Sequence, residues 1–233
     1  MKPGDAAAVE QLFDAVAPRY DRLNDVLSFG LHRQWKRQVV RSLKPVSGEN
    51  WLDLCCGTGD LALELARCVR PGGTVIGMDA AAAPLQVAAA RQRRQPWLPV
   101  RFQQCDALAT GLPSATADGL VMAYGLRNLV DPALGLAEMR RVLKPGGRAA
   151  VLDFNRLIPG TAAAQFQRFY LRSLVVPIAA SVGLRAEYAY LEKSLQCFPM
   201  GDEQEALARQ AGFSEVQHQP MVGGQMGCLM LRA

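Results

Sequence analysis

Between residues 50 and 154 short apolar runs alternate with amphipathic stretches. The runs Asn50–Leu54, Thr74–Met78, Val100–Gln104, Gly119–Ala123 and Arg148–Phe154 have the length and residue choice of strands. Between them, Asp60–Val69, Ala82–Arg94 and Pro132–Leu143 predict helices. The last is sharply delimited: Asp131 is suited to cap its amino end, Pro132 to take its first position, and Pro145-Gly146-Gly147 to stop it. Strand, helix and strand at this spacing build right-handed crossovers and a parallel sheet covered on both faces. The expected fold class is therefore a doubly wound α/β sheet, mostly parallel.

Different patterns flank this core. The first 45 residues predict helices at Asp5–Val16, Asp21–Ser28 and Leu31–Leu43, the third with an apolar stripe of Trp35, Val39, Val40 and Leu43. Beyond Asn155 the chain predicts a helical insert, Ala163–Val176 and Glu187–Leu195. A helix at Asp202–Ala211 and two strand-like runs, Val216–Met221 and Cys228–Leu231, close it and bring the expected strands to seven. One domain is expected, with a helical cap at 1–45, a ligand-binding core at 46–155, a substrate-side insert at 156–200 and a closing helix and strands at 201–233.

Composition narrows the class. Half of the 233 residues are apolar, enough for a sizeable core. The opening residues lack the pattern of a secretory signal. The longest apolar stretch, Ser173–Leu184, is interrupted by Pro177 and falls short of the roughly 20 residues of a spanning helix. A cytoplasmic protein is expected. The six cysteines form no CxxC pair, and with two histidines they offer no zinc-ligand spacing, so reduced thiols and no metal are expected. The net charge of +5 includes two basic clusters, Arg33, Lys36, Arg37 and Arg41, and Arg91, Arg93 and Arg94. They suit solvated helix faces better than nucleic acid, although an anionic membrane is a second partner for them.

The chemistry begins at WLDLCCGTGD, residues 51–60. Gly57, Gly59 and Ala62 satisfy the relaxed dinucleotide fingerprint, and Asp79 follows at a strand end, so an NAD(P)-dependent oxidoreductase is a legitimate rival. Charge argues against it: a pyrophosphate would meet Asp53 and Asp60 on either side of the turn. S-adenosylmethionine, with its amino group and sulfonium, has the opposite requirement. Asp53 and the backbone of Gly57, Thr58 and Gly59, next to Cys55, suit its methionine end. Asp79 and the adjoining Ala80 suit the ribose hydroxyls, and Asp106 and Ala107 the adenine. After the fourth strand, MAYGLRNLVDP lacks the residues that hold a base amine or attack a cytosine carbon. Arg127 and Asn128 instead suit an acceptor oxygen that must lose its proton. An RNA methyltransferase is correspondingly disfavoured.

The combination of FDAVAPRYDRLNDVLSFGLHRQWK from Phe13, DLCCGTGD, YGLRN, EMRRVLKPGGR and YAYLEKSLQCFP resembles the quinone-biosynthesis C-methyltransferases that act on demethylmenaquinone and ubiquinone precursors. The match runs from about Phe13 to Arg232. LDFN at Leu152–Asn155, FQRFYLRSLVVPIAA and MGDEQEALARQAGF are similar to the branch whose acceptor is 2-phytyl-1,4-naphthoquinone. The resemblance implies a prenylated naphthoquinol acceptor and a class I S-adenosylmethionine fold, with Ala123 and Tyr124 also at the cofactor. Its patterns differ here at DAAAAPL, which leaves a helix without a side-chain cap, and at Ala123-Tyr124, where a serine-like residue is usual. For such an acceptor Arg127 is expected to stabilise the ring oxyanion, with Asn128 and Tyr20 positioning the oxygen. Leu27, Phe29, Phe166, Phe169, Tyr170, Leu174, Val175, Val176 and Ile178 are candidates to line a groove for the tail. A lipid-soluble acceptor also implies peripheral contact with a membrane. A homodimer is an open expectation.

Overall fold

A computed structural model describes residue 28, residues 30–181 and residues 192–233. The helices expected at Asp5–Val16 and Asp21–Ser28, together with Tyr20, Leu27 and Phe29, lie outside the described residues except for Ser28. Seven strands form one sheet: β1 (Asn50–Leu54), β2 (Thr74–Asp79), β3 (Val100–Gln104), β4 (Ala117–Ala123), β5 (Leu143–Phe154), β6 (Glu215–Met221) and β7 (Met226–Arg232). Their order is β3-β2-β1-β4-β5-β7-β6. The first five are parallel, and β7 runs antiparallel to both of its neighbours. Helices α1 (Leu31–Leu43), α2 (Asp60–Cys68), α3 (Ala82–Arg93) and α4 (Pro132–Val142) accompany the parallel half. After β5 come α5 (Ala162–Tyr170), a π-helical turn (Leu171–Val175) and α6 (Val176–Ser181), then a helical stretch at 192–197 and α7 (Gly201–Gln210). The expected doubly wound, seven-stranded sheet is the observed one.

Alternation along β1 divides the core between the two faces of the sheet. Leu52 and Leu54 point to the side of α4 and α7, where they join Met78, Met122, Leu126, Leu136, Met139 and Phe213. Trp51 points to the side of α1 and α2, among Val40, Leu43, Leu61, Leu65, Val121 and Leu152. Asp53 shares the face of Trp51, so its carboxylate is directed beneath α2 and not toward solvent. That single parity makes the first acid of the glycine motif a support for α2.

The boundaries around β5 and within the insert differ most from the periodicity. The helix α4 begins as expected, with the Asp131 carboxylate accepting from the Ala133 and Leu134 amides and Pro132 in the first turn. It stops at Val142, however, and Lys144-Pro145-Gly146-Gly147 belong to β5. Ala117 already pairs with Leu143, and the register shifts before Gly119 meets Arg148, so an irregularity takes up residues that read as a loop. The insert is not one regular helix either. Its wide turn immediately precedes Pro177, whose ring nitrogen offers no proton to the carbonyl of Ser173.

Asn155 fastens the insert to the closing hairpin. Its amide nitrogen donates to the carbonyls of Gly224 and Met226, both at 2.9 Å, and its side-chain oxygen meets His218 Nε2 at 3.0 Å. Its own carbonyl accepts from Gln167 on α5. Burial pushes the His218 imidazole below its usual value, consistent with a neutral ring that donates from Nε2. Replacing Asn155 with Ala would leave two carbonyls and a ring nitrogen without partners in a closed site. The expected loss is about 3 kcal/mol, measured as a lower urea midpoint with unchanged slope.

Candidate active site

The turn Cys55–Gly59 leaves β1 at the carboxyl end of the parallel strands, where open α/β sheets bind ligands. Both glycines have left-handed backbones, yet they serve different ends. At Gly57, with φ of 52°, a Cβ would meet nothing within 4 Å, so its open face can admit a ligand to the main chain. At Gly59, with φ of 83°, a Cβ would lie 2.7 Å from the Phe102 ring. That glycine makes room for a core aromatic from β3, not for a ligand, and Phe102 carried no functional reading in the sequence.

Carboxylates hold the turn. Asp53 Oδ2 accepts from the Ala62 amide at 2.8 Å, and the residue is 1% exposed. Burial pushes this carboxyl up to about 8, with the Ala62 N–H and Lys36 opposing the rise. Asp79 accepts from the Gly57 amide at 2.7 Å and from the Ala81 amide at 3.0 Å, so it ties the turn to β2 and replaces the cap that α3 lacks. Asp60 is bound by Lys36 of α1 at 2.9 Å and by Arg91 of α3 at 2.7 Å. Burial works against its ionisation, but the two cations draw its carboxyl well below the ordinary range. Arg91 also donates to the Thr58 carbonyl, at 2.9 Å.

These partners correct the electrostatic premise drawn from the sequence. Asp60 is neutralised by two cations, and Asp53 is directed inward and largely protonated near neutrality, so the pair does not form an open anionic bracket. Lys36 and Arg91, expected on solvated faces, are the residues that sequence reasoning missed; their helical spacing gave no sign of a partner in another element. Ala80 and Asp106 are exposed beside the ends of β2 and β3, and Ala107 is buried beneath them. The Asp106 carboxylate accepts from the Leu108 amide and faces solvent.

On the other side of β1, the loop after β4 is also internally braced. Tyr124 has φ of 61° and packs against Phe154, with Lys36 Nζ 5.8 Å from its ring centroid. Arg127 lies in a 3-10 turn, Leu126–Asn128, and its Nη1 donates to Asp153 at 2.6 Å and to the Tyr124 carbonyl at 2.9 Å. The side chains of Arg127 and Asp153 are 9% and 4% exposed. Burial raises the Asp153 carboxyl while the guanidinium opposes it. The charge expected to meet an oxyanion is thus already engaged by Asp153, an acid that sequence reasoning left unassigned. Its signal was a lone acid inside the apolar run AAVLDF. Asn128 donates from Nδ2 to the Tyr124 carbonyl at 2.9 Å, whereas its buried Oδ1 has no hydrogen-bond partner among the described residues.

The residues expected to line one groove do not share a surface. Phe166, Phe169 and Leu174 are exposed, Val175 is core, and Tyr170, Val176 and Ile178 are half-buried. The cysteines are free thiols. Burial drives Cys55 and Cys56 well above the usual thiol value and Cys105 up to about 12. No group of metal-ligating side chains occurs among the described residues.

The sheet order, the turn at Gly57 and the acids at successive strand ends define an S-adenosylmethionine-dependent methyltransferase. The fold is shared with a crystal structure of a methyltransferase of that class from Thermotoga maritima, entitled a possible histamine N-methyltransferase, at a TM-score of 0.66 and 18% identity over 95% of this chain and 98% of that one. Residues 1–230 match the ubiE/COQ5 methyltransferase family, and the chain belongs to it. A relative from Thermosynechococcus vestitus, a 2-phytyl-1,4-naphtoquinone methyltransferase, is 51% identical over 219 residues, covering 94% of this chain and 96% of the relative. The chloroplastic 2-phytyl-1,4-beta-naphthoquinone methyltransferase of Arabidopsis thaliana is 41% identical, covering 94% and 85%. The oxidoreductase and RNA methyltransferase readings are thereby set aside.

The Asp53 carboxyl provides a check on the turn. Its folded value of about 8 lies far above the roughly 3.9 of an unfolded chain, so it contributes stability that is complete below pH 4 and lost as the pH rises through 8. Asp53→Asn keeps an acceptor for the Ala62 amide and removes the titration. Melting temperatures between pH 5 and 8.5 are expected to decline less steeply for the variant than for the unaltered protein.

Proposed function

We propose that this enzyme methylates the ring carbon of a prenylated naphthoquinol, with 2-phytyl-1,4-naphthoquinol as its acceptor and phylloquinol as the product. The observation that carries the acceptor class is the near full-length identity to relatives of that activity. When bound, S-adenosylmethionine supplies an electrophilic methyl group on sulfur. The open face of Gly57 and the adjoining backbone of Cys55, Thr58 and Gly59 receive its methionine end. Asp79 and Ala80 receive the ribose, Asp106 and Ala107 the adenine, and Ala123 and Tyr124 close the site. Asp53 acts through the amide of Ala62, fixing the start of α2.

The acceptor carbon lies beside a hydroxylated one and becomes nucleophilic as that hydroxyl ionises. A phenol of pKa about 10 needs help at neutral pH. The Asn128 Oδ1, buried with no hydrogen-bond partner among the described residues, is suited to accept from the neutral ring hydroxyl and so to orient the ring. That contact would recover part of the roughly 1–3 kcal/mol cost of an unpaired buried acceptor; ionisation itself falls to whatever group or water takes the proton. Arg127 then acts as a positioning residue, holding the Tyr124 carbonyl to which Asn128 is bound. Transfer would form the bond from ring carbon to methyl as the methyl–sulfur bond broke; the ring proton would then pass to water, leaving the aromatic quinolate, and a proton returned from water would give the quinol. Tyr20 remains a candidate to carry the hydroxyl proton away, and the insert at 156–200 and residues 1–45 are assigned to the acceptor side.

Purified protein given methyl-labelled S-adenosylmethionine and demethylphylloquinone is expected to yield labelled phylloquinone, with a higher yield when a reductant supplies the quinol. Absence of label with either redox form, but transfer to a demethylated ubiquinone precursor, would reassign the acceptor. Asn128→Ala is expected to lower kcat/KM about a hundredfold while leaving S-adenosylhomocysteine affinity within about twofold. Partial rescue by Asp, which keeps an acceptor oxygen, would distinguish hydroxyl binding from simple support of the loop.

A further inference from the structure

The end of β5 holds an acid to which the proposed reaction gives no part. Asp153 is 3% exposed and next to last in its strand, where alternation sets it on the α4 side of the sheet with Val151. Asp53 lies on the other face. The Asp153 carboxyl accepts three hydrogen bonds: Oδ2 takes the Arg127 amide at 3.2 Å, and Oδ1 takes Arg127 Nη1 at 2.6 Å and the Phe154 amide at 2.8 Å. One carboxyl thus holds Arg127 by main chain and guanidinium together. The guanidinium carbon also lies 5.7 Å from the centroid of the Phe154 ring.

Such a pair adds little to the stability of a fold. Both side chains leave water, so desolvation offsets most of their attraction, and apolar residues of similar volume pack a core as well or better. What the pair supplies is direction. The same Nη1 donates to the Tyr124 carbonyl at 2.9 Å, and Asn128 Nδ2 donates to that carbonyl, also at 2.9 Å. The φ of 61° at Tyr124 is uncommon for an aromatic residue and persists only where the surroundings over-determine it. Here they do: the Tyr124 amide donates to the Leu152 carbonyl of β5 at 2.7 Å, while its own carbonyl is held by the two donors of the loop.

This chain of bonds ends at the atom assigned to the acceptor. Asp153 holds Arg127, Arg127 holds the Tyr124 carbonyl, and that carbonyl orients the Asn128 amide, whose Oδ1 is left for the ring hydroxyl. The next residue after Tyr124, Gly125, reaches toward the cofactor side. A Cβ on it would lie 2.7 Å from Cys55 Cβ and 2.8 Å from Cys55 Sγ, so the loop after β4 is seated directly on the turn after β1. A displaced Tyr124 therefore changes the separation of acceptor and methyl donor.

We infer that Asp153 is a positioning residue for methyl transfer, acting through Arg127 and the Tyr124 carbonyl to set Asn128 Oδ1 against the cofactor turn. The inference rests on the proposed role of Asn128. An in-line transfer is sensitive to such placement, since a shift of about 1 Å can cost on the order of a hundredfold in rate.

A double-mutant cycle in kcat tests it, with S-adenosylhomocysteine affinity as the check on the cofactor side. The acceptor is whichever demethylated quinol the unaltered protein methylates, so a change of quinone leaves the test intact. Asp153→Asn alone is expected to lower kcat at least about thirtyfold, with S-adenosylhomocysteine affinity within about threefold. Added to Asn128→Ala, the same substitution is expected to cost less than about threefold, because the atom it would misplace is gone. Asp153→Glu keeps the buried guanidinium paired and moves it by one methylene; it supplies the same comparison where Asp153→Asn does not fold. An equal factor in both backgrounds would overturn the inference and leave Asn128 in its role, with Asp153 reduced to support of the loop. Full kcat in Asp153→Asn would do the same. Full turnover by Asn128→Ala would overturn the proposed contact itself and the inference with it.

Discussion

The hydrogen bond from the Ala62 amide to the buried Asp53 carboxyl is the constraint on which the rest of the site depends. It fixes where α2 begins, and so how the Cys55–Gly59 turn leaves β1. The turn has little apolar material of its own with which to hold a shape. Two further carboxylates therefore secure it: Asp79 receives the Gly57 amide, and Asp60 gathers Lys36 from α1 and Arg91 from α3. Helices far apart in sequence are pinned to one five-residue loop by charge and backbone donors. Lys36 also lies against Tyr124, so α1 links the loop after β1 to the loop after β4.

Much of this architecture was legible in the sequence because the parallel strands obey period rules that tertiary context rarely overrides. β1 and β3 and the helix α1 fall where apolar spacing puts them, and the Asp131-Pro132 start of α4 is a local signal that the fold respects. Where expectation and structure part in the sheet, the cause is a partner distant in sequence. Lys144–Gly147 read as a stop, yet they join β5 once Ala117 pairs with Leu143. In the insert the cause is local: the stretch read as a helix over Ala163–Val176 winds wider at Leu171–Val175, ahead of Pro177, which offers no proton to the Ser173 carbonyl.

The site was half legible for a similar reason. Motif spacing brought Gly57, Asp79 and Asp106 to the ends of adjacent strands, as expected. It could not tell that Asp53 turns inward, that Gly59 yields its space to Phe102, or that Arg127 is bound by Asp153. Repulsion between acids and a pyrophosphate points to the right cofactor class, yet it is not what selects the cofactor, because Asp60 is neutralised and Asp53 is withdrawn. What remains for the proposed cofactor is the open face of Gly57, with the carboxylates of Asp79 and Asp106 at the ends of adjacent strands.

The thiols around this crevice gain significance beside the acceptor proposed for the enzyme. The oxidised form of a naphthoquinone with an unsubstituted ring carbon is an electrophile, and thiolates add to that carbon. Cys55, Cys56 and Cys105 cluster near the turn, and burial keeps all three as thiols far above neutral pH. A thiol held neutral is a poor nucleophile toward such a carbon, so apolar packing that serves the fold also lowers the reactivity of the crevice.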